Sequence, residues 1–278
     1  MINFDHRVTL KKGRKCVVSF FGDVHHNLEA SHKRLFADYV GYLADRAKTD
    51  EVRASGQGDY CDPFSSGEKL KVRDLHGGTI DQIDKLTMEL IDDFHAVVKP
   101  VAGSILGLLE GHHFHRFQSH GTKMKNGTPL FGATTTEYLC NLIGCAYLGT
   151  MTLSTYWINN KPLKFLSHHG YGSARTRSGR LVKRRRLAEK WEADIYVLGH
   201  DHDLFIEEES RMSQEKGDVG NLYRYYVASG SYLRGYITGT PFGTYAEEAL
   251  LPPAELGSPI FEVEDRDGRL HIKHWLFK

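Results

Sequence analysis

The chain has 278 residues, of which 40% are hydrophobic and 26% charged, and its formal net charge at pH 7 is +1. These values describe a globular protein with a sizeable core and exclude a disordered or fibrous chain. No apolar run is long enough to span a membrane, no signal peptide is visible, and four cysteines without a CxxC pair favour a reducing, cytoplasmic location.

Short apolar runs alternate with helical patterns over the first part of the chain. Buried strands are predicted where apolar residues run together, at 16–21, 104–109, 163–166 and 195–198, and a further strand with a weaker apolar pattern is predicted at 51–55. Helices are predicted where apolar residues recur every three or four positions, at 28–47, 80–98, 134–143 and 178–191. This alternation predicts an α/β core through about residue 200.

The pattern changes after residue 200, where strands follow one another without helices. They are predicted at 223–228, 260–263 and 270–275, the last after an Asp-Gly turn that forms a hairpin. We find no internal repeat and no Pro-rich linker. We therefore expect one domain over 1–278, with a motif core at 16–202 and a β-rich C-terminal part at 203–278.

Five predicted strand ends carry Asp or His side chains. They are Asp23 and His25, Asp59 and Asp62, His112 and His113, His168 and His169, and His200 and His202. Because ligands of open α/β sheets bind beyond the carboxyl ends of the strands, we expect these side chains to converge. Imidazoles and carboxylates bind Zn, Fe and Mn, and this many groups exceeds what one zinc ion takes. The set favours two adjacent ions that share a carboxylate.

The order of these motifs resembles the calcineurin-like metallophosphoesterases, whose pattern runs DxH, GDxxD, GNH, a lone His and GHxH. The matching pieces are Asp23-x-His25, Gly58-Asp59-x-x-Asp62, Gly111-His112-His113, His169-Gly170 and Gly199-His200-x-His202. The match covers about 180 residues, from Asp23 to His202. The resemblance implies a four-layer α/β/β/α sandwich with two central mixed β-sheets. It also implies metal-dependent phosphoester hydrolysis by a hydroxide that bridges two metals.

The resemblance assigns the metal ligands position by position. One transition metal (Mn, Fe or Zn) would be held by three side chains, Asp23, His25 and His202. The second would be held by three histidines, His112, His169 and His200. Asp59 would bridge the two ions.

The same resemblance implies the groups that meet the substrate. His113 would be the catalytic histidine that protonates the leaving oxygen, and Asp62 would orient its ring. Arg116 is a candidate substrate-binding residue because its planar guanidinium suits a phosphate, although it could equally cap the loop after the strand. His168 is the alternative ligand to His169, which we favour because it directly precedes Gly170.

One position departs from the family pattern: His112 stands where the family has Asn. An imidazole still donates a lone pair to a metal, but it is bulkier and a stronger donor than an amide oxygen. We interpret His112 as a ligand of the second metal. The alternative places His113 on the metal and gives proton transfer to His115; Gly111, which keeps its family place, favours the first interpretation.

Residues 175–190 form a basic segment with eight Lys or Arg and one Glu. Such a helix is either a solvated face or a surface for a phosphate-rich partner, since Lys and Arg neutralise nucleic-acid backbones. The second interpretation favours phosphodiesters over monoesters, with a nucleotide or a nucleic acid as the substrate and a nuclease as one version. No membrane partner is indicated.

Two alternatives to an enzyme remain from the sequence. A non-catalytic scaffold could keep the fold and the metals while binding a partner, and the replacement at His112 favours it. A nucleic-acid-binding module could depend on the basic segment rather than on the metals. The presence of both His113 and Asp62 favours the hydrolase.

Overall fold

The computed structural model describes residues 1–63, 79–172, 174, 176–215, 218–239, 244–248 and 250–278. The strands are β1 (Ile2–Val8), β2 (Cys16–Phe21), β3 (Glu51–Gly56), β4 (Ile105–Leu108), β5 (Ala146–Tyr147), β6 (Met151–Ile158), β7 (Lys161–His168), β8 (Ile195–Leu198), β9 (Leu204–Glu215), β10 (Asp218–Ser229), β11 (Ser258–Arg266) and β12 (Arg269–Phe277). The helices are α1 (Lys33–Thr49), α2 (Thr79–Val98), α3 (Thr135–Ile143), α4 (Arg177–Ala188) and the single turn α5 (Tyr245–Glu248). A 3₁₀ helix at Lys99–Ser104 leads into β4.

The strands form two mixed sheets of six strands each. Sheet I has the order β1-β6-β7-β8-β10-β9, and sheet II has the order β12-β11-β2-β3-β4-β5. In sheet II the neighbours β2, β3, β4 and β5 are parallel, and in sheet I β7, β8 and β10 are parallel. The C-terminal part therefore supplies two strands to each sheet.

The strand β2 shows how the two sheets pack into layers. All of its residues are buried, because alternate side chains point to opposite faces of a sheet that is covered on both sides. Val18 and Phe20 join the apolar cluster between the sheets, where Phe20 meets Phe165 of β7. Val17 and Phe21 join the outer cluster that packs on the helices α1, α2 and α3.

The other outer surface belongs to α4, which lies on sheet I. Leu181 and Leu187 of this helix pack against Tyr196 of β8 and Tyr226 of β10. The layers therefore run helices, sheet II, sheet I, helix. The expected four-layer α/β/β/α sandwich with two central mixed β-sheets is confirmed.

The predicted strands and helices before residue 200 agree with the structure to within a few residues at their ends. The Asp-Gly hairpin is also present, with Asp267 and Gly268 at φ of 53° and 77° between β11 and β12. Four strands were not predicted: β1, β5, β6 and β9. In the part of the chain that the structure describes, no helix is both long and apolar enough to cross a lipid bilayer.

Candidate metal centre

The Asp and His pairs predicted at strand ends lie where the two sheets meet at one edge. Those from sheet II follow β2, β3 and β4, which are adjacent and parallel, and those from sheet I follow the parallel pair β7 and β8. A hydrogen bond from the His200 backbone N–H to Asp23 Oδ2 (2.9 Å) joins the two sets. Another runs from His169 Nδ1 to the Gln57 carbonyl (2.7 Å). The edge formed in this way is a single site built from both sheets.

The backbone is strained at the residues that the sequence assigns to the metals. Five of them have φ in the left-handed region, which residues other than glycine rarely adopt. They are Asp23 (48°), His25 (46°), Asp59 (52°), His200 (67°) and His202 (48°). Such residues persist only when the surrounding structure holds them, and they concentrate at functional sites.

Among the described residues, two groups of potential metal ligands share no residue with each other, and within each group the ligand atoms lie within 4.8 Å of one another. The first group consists of Asp23, His25 and His202. The second consists of Asp59, His112, His169 and His200. These are the seven side chains that the sequence predicts as metal ligands; the bridging role of Asp59 stays a prediction.

The shortest contacts in these groups join potential ligand atoms directly. His169 Nε2 lies 3.0 Å from Asp59 Oδ2, and His112 Nδ1 lies 3.1 Å from His200 Nδ1. His202 Nε2 lies 3.4 Å from Asp23 Oδ1. The imidazole of His112 therefore stands in the second group although it replaces the amide of the family pattern.

Buried polar atoms without hydrogen bonds show that this donor set suits a metal. Both ring nitrogens of His25 are buried and make no hydrogen bond, and His169 Nε2 and Asp23 Oδ1 face other potential ligand atoms. Leaving such atoms unpaired costs about 1–3 kcal/mol each, which a cation accepting their lone pairs would offset. The residues present therefore fit the binding of metal ions.

The outward nitrogens of two histidines are held by backbone carbonyls. His169 Nδ1 faces the Gln57 carbonyl, and His200 Nε2 lies 3.1 Å from the Gly172 carbonyl. Each contact holds a ring proton on the outward nitrogen, so the inward nitrogen is the one that can bind a metal. Histidines that bind metals are oriented in the same way by a second hydrogen bond. No residue pattern in the sequence points to these carbonyl partners.

A third group, His25, Asp62 and His113, lies beside the first. His113 Nδ1 donates to Asp62 Oδ1 at 2.8 Å. Asn27 fixes the backbone of Asp62 from both sides, donating to its carbonyl (2.8 Å) and accepting from its N–H (2.6 Å). The pair is the arrangement expected of an oriented histidine acid, and Asn27 acts as a cap of this loop.

Burial and charge set the protonation of the histidines. The hydrogen bond to Asp62 raises the pKa of His113, whereas burial lowers the pKa of His112 and of His200. Burial alone would lower the pKa of His169, but the adjacent Asp59 carboxylate raises it to about 9. His112 and His200 are therefore neutral and ready to donate a lone pair, while His169 releases a proton when a metal binds.

Two glycines let the backbone approach the ligands closely. A Cβ on Gly111 would lie 2.0 Å from Asp59 Oδ1 and 2.3 Å from the Asp59 nitrogen. Gly58 has a φ of 99°, and a Cβ there would lie 2.6 Å from His169 Nδ1. The glycines of the GD and GHH motifs are therefore required by the packing around Asp59 and His169.

The remaining sequence candidates lie outside these groups. His115 is buried against Asp84 of α2, where its Nε2 contacts the carboxylate. Arg116 is exposed, and its guanidinium donates to the Gly132 carbonyl. His168 Nδ1 accepts the Gly170 N–H at 2.7 Å. The substrate role of Arg116 and the choice of His113 rather than His115 for proton transfer stay predictions.

No family model matches this sequence, and no curated protein matches it significantly. Among solved structures, it is similar to a metallophosphoesterase from Sphaerobacter thermophilus (TM-score 0.36, 13% identity, covering 93% of this chain and 88% of the other). It is also similar to a protein from Streptococcus pneumoniae described as a predicted phosphoesterase (TM-score 0.37, 13% identity, covering 95% of this chain and 90% of the other). A third similar structure is wild-type Vps29 from Entamoeba histolytica complexed with Zn²⁺ (TM-score 0.36, 13% identity, covering 94% of this chain and 99% of the other).

With TM-scores below 0.5 these likenesses carry no argument, and the chain's own strand order and site loops are described without them. Two facing mixed sheets present the five motif loops at one edge, in the order that the resemblance implies. The architecture that the resemblance implies, two facing mixed sheets with helices outside, is present in the structure, and the resemblance to the calcineurin-like metallophosphoesterases rests on the motif residues.

Proposed function

We propose that the protein is a metal-dependent phosphoester hydrolase with a centre of two transition-metal ions, and that it prefers phosphodiesters to monoesters. The observation that carries the proposal is the adjacency of two ligand groups to the His113–Asp62 pair. When bound, such metals polarise the phosphoryl oxygens and supply a nucleophile by lowering the pKa of water to about 7.

The metal ligands in this proposal come from both sheets. One ion would be held by Asp23, His25 and His202. The other would be held by His112, His169 and His200, with Asp59 shared between the two. Because His112 has its imidazole in the second group, the departure from the family pattern is compatible with metal binding.

His113 is the proton donor of the proposed reaction. Its Nδ1–H is held by Asp62, so Nε2 is the atom that delivers a proton to the leaving oxygen. The His113 side chain is 45% exposed, which leaves this nitrogen within reach of a substrate. General acid catalysis of this kind typically contributes about 10²–10⁴-fold. Arg116 is the candidate contact to the phosphate.

The preference for diesters, including a nucleotide or nucleic acid, is supported by the exposed cations of the basic segment. Arg177, Arg185 and Arg186 of α4 are exposed. Arg175 lies outside the described residues. Exposed arginines along one helix suit a polyanion, whose binding weakens steeply with salt.

The experiment is hydrolysis of bis-p-nitrophenyl phosphate and of p-nitrophenyl phosphate by purified protein with Mn²⁺, Zn²⁺ or Fe²⁺. We expect turnover of both esters, with the diester favoured, and Asp59→Asn should remove metal and turnover together. Two bound ions without hydrolysis of either ester would support the scaffold alternative. A protein that binds none of these metals would contradict the whole proposal.

A further inference from the structure

The basic segment turns some of its charge inward. Arg184 of α4 is fully buried, and Arg180 and Lys183 are partly buried beside it. They face the loop of residues 199–203, which we call the ligand loop because it carries His200 and His202. Neither a solvated helix face nor a nucleic-acid surface would place these cations in the interior.

The ligand loop alternates histidines with aspartates, and the two kinds of side chain serve different partners. His200 and His202 belong to the two metal-ligand groups. Asp201 and Asp203 are almost fully buried, with side chains 4% and 8% exposed, and they contact α4 instead. One short loop is thus shared between the metal centre and the helix.

Each buried aspartate is paired with cations of α4. Lys183 Nζ lies 2.8 Å from Asp201 Oδ1, and Arg184 Nη1 lies 3.3 Å from Asp201 Oδ2. Arg180 Nη1 lies 3.2 Å from Asp203 Oδ2. The aspartates of the ligand loop are therefore held by α4, whereas its histidines belong to the metal-ligand groups.

Arg184 also ties the helix to β8, which leads into the ligand loop, and to the neighbouring strand β10. Its guanidinium donates to the Leu198 carbonyl at the end of β8 (3.1 Å) and to the Val227 carbonyl of β10 (2.9 Å). A buried charge network of this kind adds little stability compared with well-packed apolar residues. We therefore expect the network to act on the conformation of the ligand loop rather than on the stability of the fold.

We propose that Arg180, Lys183 and Arg184 are positioning residues that hold the ligand loop in its strained conformation. His200 and His202 have φ of 67° and 48°, and such a backbone persists only when its neighbours over-determine it. Because the loop supplies one histidine to each ligand group, relaxing it weakens both metal positions. This inference depends on the metal centre of the proposed function, not on its substrate.

The test is the affinity for Mn²⁺ alone, measured by isothermal titration calorimetry on metal-stripped protein. The variant is Lys183→Met, and its matched control is Lys190→Met, which removes the same charge from an exposed position of the same segment. We expect Lys183→Met to lose about 10–100-fold in affinity, the usual cost of losing a group that orients metal ligands, and Lys190→Met to match the wild type.

Further variants separate positioning from general stability. Lys183→Arg should restore most of the affinity, and the double variant Lys183→Met/Asp201→Asn should be no weaker than the worse single variant, because the two residues act as a pair. Each titration is run well below the melting temperature of the metal-free variant, so a purely structural role would leave the affinity unchanged. Should Lys183→Met fail to fold, Asp201→Asn decides the question, since it keeps the volume of the side chain.

The outcomes distinguish this inference from the proposed function. A wild-type protein without measurable Mn²⁺ binding overturns the metal centre itself. Wild-type binding that Lys183→Met and Asp201→Asn leave unchanged overturns the positioning role and leaves the hydrolase proposal intact.

Discussion

Replacing Gly111 by Ala tests whether the close approach of the backbone to Asp59 is required for the metal centre. The added Cβ would lie 2.0 Å from Asp59 Oδ1, so the two atoms would have to separate by about 1.4 Å to reach the 3.4 Å of an ordinary contact. Asp59 has little freedom to yield. It is 3% exposed, its backbone is left-handed, and its Oδ1 accepts the His113 N–H at 2.8 Å.

The expected result follows from the size of this displacement. Misplacing a catalytic group by about 1 Å costs on the order of 10²-fold in rate. Overpacking a buried site destabilises the fold by roughly 1–3 kcal/mol, which leaves most proteins folded. We therefore expect Gly111→Ala to remain folded, to lose about 10²-fold in kcat/KM for bis-p-nitrophenyl phosphate, and to bind Mn²⁺ weakly.

The control is Gly41→Ala, because Gly41 is exposed on α1 and a Cβ there meets nothing within 4 Å. Alanine in a helix interior stabilises by roughly 0.5–1 kcal/mol relative to glycine, so this variant should melt higher and turn over normally. The reasoning about Asp59 is refuted if Gly111→Ala binds Mn²⁺ and hydrolyses the diester as well as Gly41→Ala does.

Further predictions concern the proton donor, the metals and the basic segment. His113→Ala should slow an alkyl phosphodiester, a poor leaving group, by about 10²–10⁴-fold and a p-nitrophenyl ester far less; equal losses would argue against proton donation. Since the Asp62 carboxylate raises the pKa of His113 and the protonated ring is the active form, Asp62→Asn should shift the alkaline fall of kcat/KM to lower pH; an unshifted profile would contradict this. Mn²⁺ at about 100 times its Kd should add about 2.7 kcal/mol to the free energy of unfolding, seen as a higher Tm that EDTA reverses. Arg185→Gln/Arg186→Gln should reduce the salt dependence of oligonucleotide binding while leaving Mn²⁺ affinity unchanged; an unaltered salt dependence would mean that these exposed arginines contact no phosphate.

The strands that could be predicted from sequence are those buried on both faces. The runs that became β2 and β8 are apolar apart from Ser19, and potential ligands follow their carboxyl ends, so the apolar pattern and the site residues predict the same strands. The strand β6 alternates buried and half-exposed residues and has no site residue to mark it. The strand β9 (Leu204–Glu215) is rich in charged residues, and it exists because it pairs along its whole length with β10.

The clustering of these Asp and His side chains at one edge was also predictable, because each follows a recognisable strand. The partners that orient the ligands were not. The hydrogen bonds to the carbonyls of Gln57 and Gly172 cannot be predicted from residue types, since every residue has a backbone carbonyl. The inward orientation of some cations of α4 could not be predicted either, because a count of Lys and Arg does not show which side chains pair with Asp201 and Asp203.

The centre draws its side chains from strands of both sheets, and this has a consequence for the cohesion of the sandwich. An ion coordinated by Asp23 and His202 would crosslink positions that are far apart in the chain and that belong to opposite layers. Loading the metal should then slow amide hydrogen exchange in β2 and β8 together, although the two strands share no hydrogen-bond ladder. The ion would therefore act as a reversible crosslink between the two sheets.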